Sequence, residues 1–223
     1  MKQDHTHISV LLDRTGSMES IRDDTIGGFN TFLAEQKKQP GTATLTLVQF
    51  DTQDPNEVIH DFEPISEIPP LTRKTYVPRA KTPLLDAMGR GINDLDKRIA
   101  DLSEEARPSK VVMAVVTDGQ ENSSREFRRD QIEKMIKEKT DKDSWQFVFL
   151  SADLAAINDA RSVGIGADAV LLFAKNRRGT ADAWSALSAR TSDYRTARKR
   201  KIGFGREESE DKDDPKKVRE NKK

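Results

Sequence analysis

The sequence predicts an α/β protein: a doubly wound, mostly parallel sheet with helices on both faces and one antiparallel edge strand. Short continuous apolar runs at residues 8–12, 43–50, 111–117, 145–150 and 169–173 read as strands buried on both faces. Segments of helical period lie between them, and such alternation gives a parallel sheet covered on both sides. One pair of runs breaks the pattern. Residues 43–50 and 57–62 are joined only by Asp51 to Asn56, too few residues for a parallel crossover, so the second run is expected as an antiparallel edge.

Taken in order, the first run follows a terminus in which His5 and His7 alternate, and both are expected in solvent. Ile26, Phe29, Phe32 and Leu33 mark a first helix. His60 falls on the edge strand and is expected to be half exposed. Residues 63–81 contain four prolines and no clear period, which reads as a functional surface loop. Leu84, Leu85, Met88, Ile92, Leu95, Ile99 and Leu102 form one stripe, with Thr82 as the natural N-cap and Pro83 in the first turn. Phe127, Ile132, Met135 and Ile136 mark a third helix, for which Ser123 and Glu126 have capping-box spacing. Trp184, Leu187, Thr191 and Tyr194 give the stripe of a last helix.

At 223 residues, 35% apolar and 34% charged, the chain fits one globular domain with a surplus of charge. It has no cysteine, which excludes disulfide scaffolds, thiolate zinc sites, iron–sulfur ligation and cysteine nucleophiles. The apolar run that ends at Asp13 is too short for a secretory signal, and no stretch approaches the roughly 20 apolar residues of a membrane span. A cytoplasmic protein without membrane contact is therefore expected. Residues 1–174 carry 22 Lys/Arg against 29 Asp/Glu, and residues 175–201 carry nine against two. That basic stretch, with Lys175, Arg177, Arg178, Arg190, Arg195, Arg198, Lys199, Arg200 and Lys201, is either an electrostatic footprint for nucleic acid or a solvated helix face turned to an acidic surface. The lack of interleaved exposed aromatics favours the second. Residues 206–223 hold 14 charges and one apolar side chain, so the domain is expected over 1–202 and a disordered charged tail over 203–223. Gly27-Gly28 and Gly164-Ile165-Gly166 lack the Lys-Ser/Thr of a phosphate-binding loop, which discards nucleotide binding.

Open α/β sheets bind ligands beyond the carboxyl ends of their strands. There the sequence places Asp13-Arg14-Thr15-Gly16-Ser17-Met18 after the first strand and Thr117-Asp118-Gly119 after the central one, with Lys81-Thr82-Pro83-Leu84 opening the second helix. Asp13, Asp118, Thr15, Ser17 and Thr82 supply two carboxylates and three hydroxyls, hard oxygen donors without a histidine or cysteine among them. Such a set suits Mg²⁺ with water or a ligand completing an octahedron, and does not suit zinc or copper. Taken singly, each hydroxyl is also explained as a turn or cap residue; Glu121 and Asn122, beside Asp118, either reach a ligand or belong to a polar connection.

These residues resemble the von Willebrand factor A domain family and its metal-ion-dependent adhesion site. Asp13, Thr15 and Ser17 match the family's Asp-x-Ser-x-Ser element in the Asp-x-Thr-Gly-Ser-Met form common among bacterial members. Thr82 matches the distant threonine, and Asp118 matches the distant aspartate that precedes a glycine. Order and spacing agree over residues 8–175, with two departures: Thr15 replaces serine, and Lys81 stands where many members have glycine. The resemblance implies the Rossmann-like fold of that family and a metal site of Asp13, Thr15, Ser17, Thr82 and Asp118 for Mg²⁺, with Mn²⁺ or Ca²⁺ able to substitute. It implies adhesion and no turnover: an ion held largely by neutral hydroxyls takes an Asp or Glu carboxylate of a protein partner as its last ligand. The expected role is that of an adaptor or accessory subunit of a larger cytoplasmic machine, such as a MoxR-type AAA+ ATPase or a chelatase-like assembly, with nucleic acid not the expected partner.

The same residues are similar to a second motif set. Asp13-Arg14-Thr15-Gly16-Ser17 is similar to the phosphorylation motif of the haloacid-dehalogenase superfamily, in which Asp13 would be a nucleophile, Asp118 a Mg²⁺ ligand and a lysine a phosphoryl partner. That superfamily places its Ser/Thr at the end of an apolar strand and its lysine before the last motif. Thr82 instead follows Thr75 to Lys81, which does not read as a strand, so adhesion is the expected function and phosphoryl transfer the alternative.

Overall fold

The computed structural model describes residues 2–205, with side chains from His5 onward. The elements are β1 (Lys2–Asp13), α1 (Arg22–Lys38), β2 (Thr42–Phe50), β3 (Glu57–Pro64), α2 (Leu84–Ala100), β4 (Pro108–Thr117), α3 (Arg129–Asp143), β5 (Gln146–Ser151), α4 (Leu154–Ser162), β6 (Val170–Leu172) and α5 (Arg177–Arg195). The six strands lie in the order β3-β2-β1-β4-β5-β6. Only the β2–β3 pairing is antiparallel, as the six-residue connection requires. The predicted α/β architecture is therefore the observed one.

Strand alternation sorts the core into two layers. Ile8, Val10 and Leu12 of β1 join Val112, Ala114 and Val116 of β4 on the side covered by α1 and α5. Leu11, Met113 and Val115 point the other way, onto α2, α3 and α4. α1 and α5 meet at Gly28, where a Cβ would stand 2.0 Å from Trp184 Cδ1. Without a side chain there, Trp184 can lie edge-on to Phe29 at 5.8 Å between ring centroids.

Several expectations are corrected. His5 and His7 are buried within a strand longer than its apolar run, and both hydrogen-bond Thr44 Oγ1, at 3.0 and 2.9 Å. His7 also stacks on Phe62 at 4.2 Å. α4 has no counterpart in the predicted helices: at nine residues it is too short to show a periodic stripe, and it is set by Asp153, whose carboxylate accepts from Ala155 N and Ala156 N. α3 starts at Arg129 rather than near Ser123, with Gln131 Oε1 accepting from Arg128 N at 2.8 Å. Ile202 and Phe204 are buried and Phe204 N donates to Asp168 O at 2.6 Å, so packed structure continues past the boundary expected at 202. The remainder of the expected tail, 206–223, lies outside the described residues. Among the described residues no helix is long and apolar enough to cross a membrane.

Residues 63–81, expected as a surface loop, instead form an ordered strap. Ile65, Ile68, Leu71 and Tyr76 are buried in the α1-side core. Asn30 of α1 binds both backbone groups of Leu71, at 2.9 and 2.7 Å, while Lys37 Nζ caps Ile68 O at 2.7 Å and Arg22 Nε donates to Tyr76 O at 3.1 Å. The apolar side chains had no period to betray them because the strap is irregular and its backbone is satisfied by side chains of a helix.

Candidate metal site

The carboxyl ends of β1 and β4 are neighbours in the sheet, and this brings the two distant Asp loops together. Asp13, fully buried, ends β1. Its Oδ1 accepts from Thr15 N at 2.6 Å, and its Oδ2 accepts from Thr117 Oγ1 at 2.5 Å. The chain then turns through a short 3-10 segment, Gly16–Ile21, that leads into α1 and carries Ser17 outward. Thr15 Oγ1 and Ser17 Oγ lie 3.1 Å apart, and Ser17 Oγ donates to Asp118 Oδ1 at 2.6 Å. Thr82 approaches the same place from the other side. A Cβ on Gly119 would stand 3.7 Å from both Ser17 Oγ and Thr82 Oγ1, so these two hydroxyls flank the glycine that follows Asp118. All five predicted donors are thus gathered at one sheet edge.

Thr82 does not cap α2 as expected. The N-cap position is Pro83, and the helix start is served from the β4–α3 connection. Glu121 Oε2 accepts from Leu85 N at 2.9 Å, and Ser124 Oγ accepts from Asp86 N at 3.0 Å. Asn122 holds Thr82 at both backbone groups, with Thr82 N donating to Asn122 Oδ1 and Asn122 N donating to Thr82 O, each at 3.1 Å. Glu121 and Asn122 therefore position the threonine loop. Relieved of capping, the Thr82 hydroxyl is left for the site.

Two residues at the site escaped sequence reasoning. Tyr76, from the strap, is fully buried and its hydroxyl donates to Asp13 O at 2.6 Å, so it fixes the end of β1 from below. Lys175, between β6 and α5, places Nζ 2.6 Å from Asp118 Oδ2. In sequence it belongs to a basic run, and that run does not form one face. Arg195 is buried, donating to Gln36 O at 2.6 Å between α5 and α1, and Arg198 turns to Asp193.

Arg14, next to Asp13 in the chain, is buried and turned to Asp51 and Glu57 instead of to the oxygen donors. Its Nε donates to Asp51 Oδ2 at 2.9 Å, and a second nitrogen pairs with Glu57. Arg79 of the strap shares Asp51 Oδ2 at 2.8 Å. Burial alone would raise the Asp51 carboxyl, yet the Arg79 hydrogen bond, the N–H groups of Gln53 and Asp54, and the Arg14 charge together hold it below its ordinary value. Asp51→Ala would leave the buried Arg14 with Glu57 and Gln49 but without its buried carboxylate, and we expect a loss of about 3 kcal/mol in urea unfolding, the low end of the roughly 3–5 kcal/mol for breaking a buried pair from one side. Asp51→Asn, which keeps an acceptor, should lose clearly less; equal losses for the two would contradict the charge argument.

The donor set fits a divalent cation. Burial pushes the Asp13 carboxyl up to about 7, against hydrogen bonds from Thr117 and Thr15 that pull it down and with the Asp118 charge adding to the rise. A buried carboxylate with no cationic partner of its own is relieved by an ion placed beside it. The other donors are the Asp118 carboxylate and three hydroxyls, and among the described residues no three His, Cys, Asp or Glu side chains come together as a metal cluster, here or elsewhere.

No family model and no curated protein matches the sequence. Solved structures do match. Proximal thread matrix protein 1 of the mussel byssus, in a form described as having a zinc-occupied MIDAS motif, superposes with a TM-score of 0.58 at 12% identity over 84% of this chain and 46% of that one. A von Willebrand factor type A protein from Catenulispora acidiphila superposes with a TM-score of 0.54 at 11% identity over 85% of this chain and 43% of that one. The chain spans less than half the length of these structures, and at such identity the likeness is one of fold.

Proposed function

This chain has the von Willebrand factor type A fold, and from that premise we propose that it is a metal-dependent protein-binding module whose ion is held by Asp13, Thr15, Ser17, Thr82 and Asp118. The observation that carries the reading is the hydrogen-bonded chain from Thr15 Oγ1 through Ser17 Oγ to Asp118 Oδ1, flanked by Thr82 Oγ1 at Gly119. These groups come from three separate loops and meet at the sheet edge where open α/β folds bind ligands. Three of the five donors are neutral, so a bound Mg²⁺ would keep enough positive character to act as a Lewis acid toward an Asp or Glu carboxylate of a partner.

The chain's own residues supply the rest. Thr117 and Thr15 N orient Asp13, Tyr76 anchors the backbone that carries it, and Glu121 with Asn122 fixes the Thr82 loop. Lys81, exposed beside Thr82, and the strap form part of the rim. A role as accessory subunit or adaptor of a cytoplasmic ATPase or chelatase-like assembly belongs to this proposal. Binding of the partner, recovered by affinity capture from the source cell, should disappear in chelator, return with Mg²⁺, and fail in folded Ser17→Ala and Thr82→Ala variants. Equal capture in excess chelator would sink the proposal.

Phosphoryl transfer has one observation in its favour, an ammonium on the second aspartate. The lysine nevertheless follows that motif in the chain, and Thr82 leaves a loop and not a strand. Aryl phosphate hydrolysis above background is not expected with Mg²⁺ present. Turnover that vanishes in Asp13→Asn would reverse the order of the two readings.

A further inference from the structure

Lys175 bears directly on how the proposed ion would bind. Both oxygens of Asp118 are engaged: Oδ1 accepts from Ser17 Oγ, and Oδ2 lies 2.6 Å from the Lys175 ammonium. The Asp118 side chain is fully buried while that of Lys175 is 38% exposed, so the ammonium reaches inward from solvent to a carboxylate with which, among the described residues, no other cation is seen to pair. A lysine head is a compact point charge on a flexible stem and can stand where a metal ion would neutralise the same oxygens.

The backbone around Lys175 is fixed. Phe173 N donates to Ser151 O at 2.9 Å, Asn176 N to Ala174 O at 2.8 Å, and Gly179 N to Asn176 Oδ1 at 2.9 Å. Gly179 lies so close to Ala174 that a Cβ would come within 2.2 Å of the Ala174 carbonyl oxygen. Phe173 is tied to β5 and residues 174–179 are bonded to one another, so it is the Lys175 side chain, with its exposed flank, that is free to swing out. Release is a rotamer change in which the ammonium keeps its proton and exchanges Asp118 for water.

We propose that Lys175 is a tethered counter-cation of this site, holding Asp118 in the ion-free protein and leaving it when a divalent ion binds. The inference rests on the metal-binding reading above and adds a regulator to it. The ion competes with a charge that is part of the chain, present at the same local concentration whatever the protein concentration. Affinity for the ion is thereby lowered, and the ion-free site is kept from carrying an unpaired buried carboxylate at Asp118.

The test is Mn²⁺ binding to the full chain at fixed neutral pH, by calorimetry and by the electron paramagnetic resonance signal of free Mn²⁺. Lys175→Met should bind Mn²⁺ about tenfold more tightly than wild type, because the competing pair is removed. Lys175→Arg should stay within a few-fold of wild type. Without metal, Lys175→Met should melt below wild type, and saturating Mn²⁺ should close that gap. In wild-type protein, the Lys175 side-chain NMR resonances should shift on titration with Mg²⁺, an observation that needs no variant. Equal or weaker Mn²⁺ binding by Lys175→Met, or unmoved Lys175 resonances while Mg²⁺ binds, would overturn the counter-cation and leave the metal site standing. No uptake of Mn²⁺ by either wild type or Lys175→Met would instead remove the metal site, and the counter-cation with it.

Discussion

Asp118→Ala is expected to weaken Mn²⁺ or Mg²⁺ binding by about 100-fold at neutral pH. The donor set contains only two carboxylates, so each supplies half of its formal negative charge. Near a protein surface a divalent ion and a carboxylate roughly 4 Å apart attract by about 8 kcal/mol, twice the unit-charge figure, and the lost Lys175 pairing together with water entering in place of the carboxylate offsets most of that, leaving about 3 kcal/mol. Ser17→Ala and Thr82→Ala remove neutral ligands and should weaken the ion less. Calorimetry on the three variants orders them, and an Asp118→Ala isotherm matching wild type would remove Asp118 from the site.

Acid should destabilise the fold through His7. Burial, with His5 and then Arg98 adding repulsion, lowers the His7 pKa from 6.5 to about 3. Between those values the unfolded chain binds a proton that the native protein refuses, so the His7 contribution is complete above pH 6.5 and is lost as pH falls toward 3. At about 1.4 kcal/mol per pKa unit the full loss is roughly 5 kcal/mol, of which roughly 4 kcal/mol has gone by pH 3. Asp13 runs the opposite way across nearly the same interval. Its carboxyl is raised from 3.8 to about 7, so its contribution is complete below pH 3.8 and is lost as pH rises through 7. The wild-type curve therefore hides both, and the measurement that separates them is the difference in unfolding free energy between wild type and His7→Asn. That difference should be flat above pH 7 and shift by roughly 4 kcal/mol against wild type by pH 3. A difference independent of pH would mean that His7 titrates normally in the folded protein.

The residues that could be read from sequence were those whose role is local or repeated. Apolar runs gave the strands, a six-residue gap gave the antiparallel edge, Asp13, Thr15, Ser17 and Asp118 stood out as oxygen donors just after strands, and Thr82 as a hydroxyl opening the second helix. What stayed hidden depends on contacts across the sheet. His5 and His7 look like a solvated start until β2 and Phe62 cover them. The cap of α2 comes from Glu121 instead of its neighbour Thr82, so a correct residue carried an incorrect local role. Lys175 reaches Asp118 only because β5 and β6 lie beside β4 in the sheet order, and nothing in a basic run marks one lysine as different. Arg195 is the reverse case, a basic residue drawn inward by Gln36.

The strap over residues 63–81 has a kinetic and calorimetric consequence. Held by Asn30, Lys37 and Arg22 on α1, and by Arg79 on Asp51, it is already ordered before anything docks. A ligand that settles against it meets a surface whose conformational entropy was surrendered during folding of the domain. Association should then proceed as the encounter of rigid bodies, with a single-exponential approach and a heat-capacity change set by the contact area alone. Cutting the Asn30 tether would convert the same surface into one that must order at each encounter, slowing capture while the metal ligands themselves remain intact.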